Sequence, residues 1–193
     1  MKNLAVFVSG GGTNFQAIID GIASGKINAS IKLLISSSSE AFALERAKRA
    51  NIPYLVYSAK HFPGTADEMY AQIAALIKCE KIDIIVLAGY IKVLPSSFVS
   101  QFKGKIVNTH PALIPKHCGK GMYGHFVHES VLKSGDSESG VTIHYVDEGV
   151  DTGTIIAQQR VPVLPDDTPD SLAARVLVAE HELFPQVIAE LCK

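Results

Sequence analysis

Leu4-Ala5-Val6-Phe7-Val8 runs without a break into Ser9-Gly10-Gly11-Gly12-Thr13-Asn14, and Phe15, Ile18, Ile19 and Ile22 follow. This stretch decides the fold. Five consecutive apolar residues match a short strand covered on both faces, whereas a half-exposed strand would alternate apolar with polar. The three glycines end the strand, and the apolar residues beyond them recur at three- and four-residue spacing, which predicts a helix over Asn14–Ala23. The chain therefore opens as strand, glycine loop, helix.

The same unit repeats outward from there. Ile31–Ile35, Tyr54–Val56, Ile82–Ala88 and Lys105–Asn108 read as further strands, with helices at Ala41–Ala50 and Ala66–Cys79 between them. Alternating strands and helices imply an α/β fold: a mainly parallel, twisted, Rossmann-like sheet with helices on both faces. The pattern changes after Asn108. Pro111, Pro115, Gly119, Gly121 and Gly124 mark a long loop, and a helix near Val127–Lys133 follows. Val141–Val146 and Thr154–Val163 then form an antiparallel pair, because only the short segment Asp147–Gly153 joins them. A last helix spans Pro169–Leu191, with Thr168 as its N-cap and Pro169 in its first turn. No linker or internal repeat interrupts the chain, so residues 1–193 read as one domain.

Composition narrows the function classes. Of 193 residues 47% are apolar, which excludes a disordered chain, and a net charge of −1 leaves no basic footprint for nucleic acid. Leu4–Val8 is too short for a signal peptide or a membrane span. Cys79, Cys118 and Cys192 are odd in number and far apart, so they read as reduced thiols of a cytoplasmic protein and supply no metal motif.

Four groups of residues point to chemistry. Glycines let backbone N–H groups approach an anion at a helix N-terminus, so Gly12, Thr13 and Asn14 suit a phosphate monoester. A dinucleotide fingerprint fits less well, since its third glycine would fall at Phe15 and the second strand ends in Ser36–Ser39 with no acidic ribose ligand. The same glycines would also serve a tight turn. Asn108 and His110 are two apart at a strand end, so their side chains share one side. An amide donor beside an imidazole suits a reaction in which a carbonyl oxygen gains negative charge while an amine loses a proton, although a histidine there also serves structure. In Asp147–Gly153 the acids and glycines are ordinary turn chemistry, but Asp151 stands where the next strand begins. A carboxylate near His110 would orient its ring and favour its protonated form. Glu180 falls at the centre of the apolar arc of the last helix at 3.6 residues per turn. A carboxylate facing a core needs a cation or a hydrogen-bond donor: a Lys or Arg, or a substrate ammonium or hydroxyl.

Taken together these segments resemble the glycinamide ribonucleotide (phosphoribosylglycinamide) formyltransferases, members of the 10-formyltetrahydrofolate-dependent formyltransferase superfamily. Val8–Asn14 resembles their phosphate loop, Leu87-Ala88-Gly89-Tyr90-Ile91-Lys92-Val93-Leu94 the lining of their folate pocket, Asn108-Thr109-His110-Pro111-Ala112-Leu113-Ile114-Pro115 the superfamily signature, Asp151-Thr152-Gly153 the aspartate motif, and Glu180-His181 the substrate-contacting helix. The resemblance spans nearly the whole chain. It implies a purine-biosynthetic formyltransferase with Asn108, His110 and Asp151 as its catalytic trio. Gly12, Thr13, Asn14 and Glu180 would hold the ribonucleotide. Ile91, Lys92, Val93, Leu94, Asn108 and Asp147 would contact 10-formyltetrahydrofolate as co-substrate, without a metal. The implied mechanism is direct attack by the substrate amine through a tetrahedral intermediate, with protonated His110 and Asn108 on the oxyanion. Its partners would be small molecules, its state monomer or homodimer, and its nearest alternative another formyltransferase or hydrolase of the superfamily.

Overall fold

A computed structural model describes residues 1–58 and 62–193. Among them run β1 (Lys2–Val8), α1 (Thr13–Ala23), β2 (Ala29–Ser36), α2 (Ala43–Arg49), β3 (Tyr54–Val56), α3 (Ala66–Cys79), β4 (Ile84–Leu87), α4 (Ser96–Val99), β5 (Ile106–His110), α5 (His125–Ser134), β6 (Glu138–Tyr145), β7 (Ile155–Pro162) and α6 (Pro169–Leu191). The strands form one sheet in the order β3-β2-β1-β4-β5-β6-β7. Pairing is parallel from β3 to β5 and antiparallel from β5 to β7.

The continuous apolar run of β1 is explained by its position between β2 and β4. Leu4, Val6 and Val8 pack on one face with Phe15 and Ile18 of α1 and Val176, Phe184 and Ile188 of α6. Ala5 and Phe7 pack on the other with Met69 and Ile73 of α3 and with Phe98 and Phe102. Each fully buried Leu, Ile, Val or Phe contributes roughly 1.5–3 kcal/mol of hydrophobic stabilisation, so both faces need an apolar side chain at every position from Leu4 to Val8.

Two features depart from the sequence reading. Tyr54–Val56 carries the apolar run of a covered strand, yet all three residues are exposed, because β3 is the sheet edge. The short helix α4 and the 3₁₀ turn after it, Ser100–Phe102, were not expected. Their only sequence signal is Phe98 and Phe102 at four-residue spacing, whose rings pack 4.9 Å apart between centroids. Helix α6 starts as expected: Thr168 accepts from the Ser171 N–H, the Ser171 hydroxyl accepts from the Thr168 N–H, and Pro169 needs no donor partner. No helix among the described residues is long and apolar enough to cross a membrane.

Candidate active site

A cleft of about 580 Å³ opens where β4 and β5 end, the usual place for a ligand in an open α/β sheet. Three segments wall it: the stretch after β4, the loop between β5 and α5, and the β6–β7 connection, with α6 closing one end.

Within β5, Asn108 and His110 face one way and Thr109 the other. Antiparallel pairing sets His144 of β6 directly opposite Asn108, and the Asn108 amide Nδ2 lies 3.2 Å from His144 Nε2. His144 Nδ1 donates to the Tyr145 carbonyl at 2.8 Å, which in the neutral ring leaves Nε2 as the acceptor for the Asn108 amide. His110 is 3% exposed. Its Nε2 donates to the His117 carbonyl at 2.8 Å, and its Nδ1 stands 3.6 Å from Asp151 Oδ2. The other Asp151 oxygen is 3.7 Å from His144 Nε2, and the Gly119 N–H donates to Oδ2 at 3.0 Å. The fold thus brings Asn108, His110 and Asp151 together and adds His144, which sequence reasoning missed. Only the register of β6 on β5 reveals it.

The charge state of His110 corrects the expectation of a protonated ring. Burial pushes its pKa below the ordinary histidine value, and the opposing pull of the Asp151 carboxylate does not make up the difference. Burial also acts to raise the Asp151 pKa, but the two imidazoles beside it and the Gly119 N–H outweigh it, so Asp151 is held below its usual value. The free site therefore holds a neutral imidazole with its Nδ1 lone pair facing a carboxylate.

Thr109, on the opposite face of β5, donates its hydroxyl to Glu180 Oε1 at 2.6 Å. Glu180 is 7% exposed and lines the cleft. Of the two readings of Glu180, a Lys or Arg partner is not found among the described residues; the donor is a hydroxyl from the strand it packs on. Asn14 is equally buried and lines the cleft with its Oδ1 lacking a hydrogen-bond partner among the described residues. His128 of α5 lines it too, with its Nδ1 likewise unpartnered. Burial, helped by His125 and His110, pushes the His128 pKa down to about 4.

The glycine loop divides into two kinds of position. Gly12 has φ 69°, and a Cβ there would lie 2.6 Å from the Ala43 Cβ, so the packing of α1 against α2 requires glycine. At Gly10 and Gly11 an added Cβ meets nothing within 4 Å among the described residues. Of the three residues expected at a phosphate, only Asn14 lines the cleft; Thr13 lines a neighbouring groove beside Gln16 and Arg46, and Gly12 caps α1. Ile91, Lys92, Val93, Leu94 and Asp147 all line the cleft, and Ile91 and Val93 are 52% and 67% exposed. Asp147 also serves its turn, its Oδ1 accepting from Gly149 N–H at 3.0 Å and from the Thr152 hydroxyl at 2.6 Å.

Comparison with known proteins places the chain in a family. A family model described as formyl transferase matches residues 2–188. The chloroplastic phosphoribosylglycinamide formyltransferase of Arabidopsis thaliana is 42% identical over 193 residues, covering all of this chain and 66% of its own length. The phosphoribosylglycinamide formyltransferase of Haemophilus influenzae is 42% identical over 188 residues, covering 97% of this chain and 86% of its own. The chain thus spans just under two thirds of the plant protein and most of the bacterial one. The crystal structure of glycinamide ribonucleotide transformylase 1 from Geobacillus kaustophilus superposes with a TM-score of 0.91 at 43% identity, each chain covered in full.

Proposed function

This chain belongs to the formyl transferase family, and from that premise we propose that it transfers the formyl group of 10-formyltetrahydrofolate to the amine of glycinamide ribonucleotide. One observation carries the reading. Asn108, His110 and Asp151 stand in one cleft whose apolar side presents the exposed Ile91 and Val93 and whose polar side presents Asn14 and Glu180.

Each side fits one substrate. Ile91, Val93 and Leu94 offer apolar surface and backbone groups to a flat heteroaromatic ring, with Lys92 beside them for its acidic tail. Glu180 keeps one carboxylate oxygen clear of Thr109 for a cation or hydroxyl. The unpartnered Asn14 amide oxygen accepts from a ribose hydroxyl or an amide N–H, and the open backbone at Gly10 and Gly11 leaves room for a phosphate beside the N-terminus of α1.

The chemistry follows from the ring nitrogens. Nucleophilic attack by the amine on the formyl carbon makes a tetrahedral centre with an oxyanion and a positively charged nitrogen. Asn108 gives one N–H to His144 and keeps the second for the oxyanion. His110 Nδ1, unprotonated in the free site, is the acceptor for the proton the amine loses. Asp151 stabilises the imidazolium as it forms, and the proton passes on to the departing folate nitrogen as the carbon–nitrogen bond breaks. Counted from the unprotonated amine, the products are the formamide of the ribonucleotide and tetrahydrofolate, with no proton gained or lost overall. Holding both substrates in one cleft removes much of the entropic barrier to a two-substrate reaction.

The test is stoichiometric release of tetrahydrofolate and of formylated ribonucleotide by the purified chain. Release of tetrahydrofolate and free formate at the same rate with and without the ribonucleotide would sink the proposal and point to a hydrolase.

A further inference from the structure

A second polar cluster lies outside the cleft, behind the loop that joins β5 to α5. His117 Nδ1 is 2.8 Å from the Ser130 hydroxyl, its Nε2 is 2.8 Å from Asp136 Oδ2, and Lys116 Nζ is 2.8 Å from Asp136 Oδ1. The ring is thereby fixed at both nitrogens, to a residue of α5 and to one just past its C-terminus.

The backbone of the same residue faces the cleft. His117 has φ 50°, a left-handed conformation uncommon for a side chain other than Asn, Asp or His. Its carbonyl is the acceptor for His110 Nε2, and two residues on the Gly119 N–H donates to Asp151 Oδ2. A three-residue strap therefore touches both members of the pair assigned to proton transfer. A carbonyl only accepts, so this contact requires the His110 proton on Nε2 and leaves Nδ1 as the basic atom facing Asp151. The start of the loop has its own anchor, since Thr142 Oγ1 accepts from the Ile114 N–H and donates to the Ala112 carbonyl. Beyond it, Gly119, Gly121 and Gly124 all have positive φ and offer no side chain to hold the strap in place.

We propose that His117, clamped by Ser130 and Asp136, is a positioning residue for the formyl transfer: its ring fixes the strap whose carbonyl and N–H set the tautomer of His110 and the orientation of Asp151. This rests on the formyl-transfer reading of His110 and Asp151. No contact between His117 and substrate is invoked.

The test pairs steady-state kinetics with histidine-selective NMR of the substrate-free protein. The variants are His117→Asn, which tolerates the left-handed backbone but has no ring, and Ser130→Ala and Asp136→Ala, which keep the ring and remove its partners. In the unaltered protein His110 shows the Nε2–H neutral form alone. In His117→Asn both neutral tautomers appear, and kcat falls by about 10-fold with both KM values within about twofold, below the ~10²-fold that a misplacement of about 1 Å can cost. Removing Ser130 and Asp136 together costs no more than removing His117, because both act through its ring. Should His117→Asn fail to fold, the Ser130→Ala and Asp136→Ala variants carry the same readouts. The proposal is overturned if the folded variants keep the single His110 tautomer, whether or not kcat falls. If instead the tautomers mix but the protein transfers no formyl group, the clamp on His110 stands and the functional reading fails.

Discussion

At the scale of single residues, the sequence marked Asn108, His110, Asp151 and Glu180, and the fold decides what state each is in. His110 is the clearest case. A carboxylate neighbour argues for imidazolium, but a ring only 3% exposed gives up more hydration than a partner 3.6 Å away restores. Asp151→Asn preserves size and most hydrogen bonds while removing that charge. Turnover should fall by about 10²–10⁴-fold, the range typical of general acid–base groups, and the His110 pKa should drop still further. Kinetics with NMR titration of His110 checks both, and an unchanged pKa with turnover within about threefold would return Asp151 to the turn. Glu180 belongs to the same scale. Its Thr109 hydrogen bond is short and to a carboxylate, so Thr109→Val should lower stability by about 1.5–3 kcal/mol in denaturant titrations. Glu180→Gln still accepts from Thr109, so it should fold normally and raise the ribonucleotide KM. A normal KM in Glu180→Gln would make the carboxylate a structural acceptor only.

At the scale of elements, strand–loop–helix order was readable because its signals are local: an unbroken apolar run, three glycines, a 3.6-residue period. What the sequence withheld are relations between elements. That β3 is an edge strand depends on strand order, and that His144 faces Asn108 depends on register; neither leaves a mark in Tyr54–Val56 or around His144 itself. The helix after Pro95 was hidden by its brevity, since four residues carry too little periodicity to read. The glycine loop shows the same division within three residues. Gly12 answers to α2, through Ala43, while a side chain added at Gly10 or Gly11 would meet no neighbour among the described residues. Gly12→Ala should therefore destabilise the fold by about 1–3 kcal/mol, from backbone strain and overpacking. Gly10→Ala and Gly11→Ala should leave the denaturation midpoint in place and weaken ribonucleotide binding measured by calorimetry. If both bind as the unaltered protein does, the loop is a turn and the phosphate sits elsewhere.

At the scale of the whole molecule, the cleft makes a demand that the rest of the fold must meet: it keeps His110 and His128 neutral by burying them in one wall. An unfolded chain holds both at an ordinary pKa of about 6.5. As pH falls below that value, the unfolded chain takes up protons that the folded one refuses, so folding stability declines, beginning near pH 6.5 and continuing until His128 itself titrates at about 4. The carboxylates act with the opposite sign and later. Asp136 and Asp151 are held below their ordinary values, so the stability they contribute is complete above the unfolded aspartate pKa of about 3.9 and is lost as pH drops through their folded values. Acid unfolding should thus have two causes in separate ranges, histidines first and carboxylates second. His128→Phe fills the same space with an apolar ring and removes one histidine from the account. Urea midpoints measured between pH 7.5 and 3 should decline less steeply in this variant from pH 6.5 to 4, and as steeply as before below 4. His110 contributes to the residual slope in the upper range, and adding Asp151→Asn should steepen it, because the carboxylate that favours imidazolium in the folded state is gone. A variant profile superimposable on that of the unaltered protein across the upper range would mean that His128 takes up its proton in the folded state as readily as in the unfolded one.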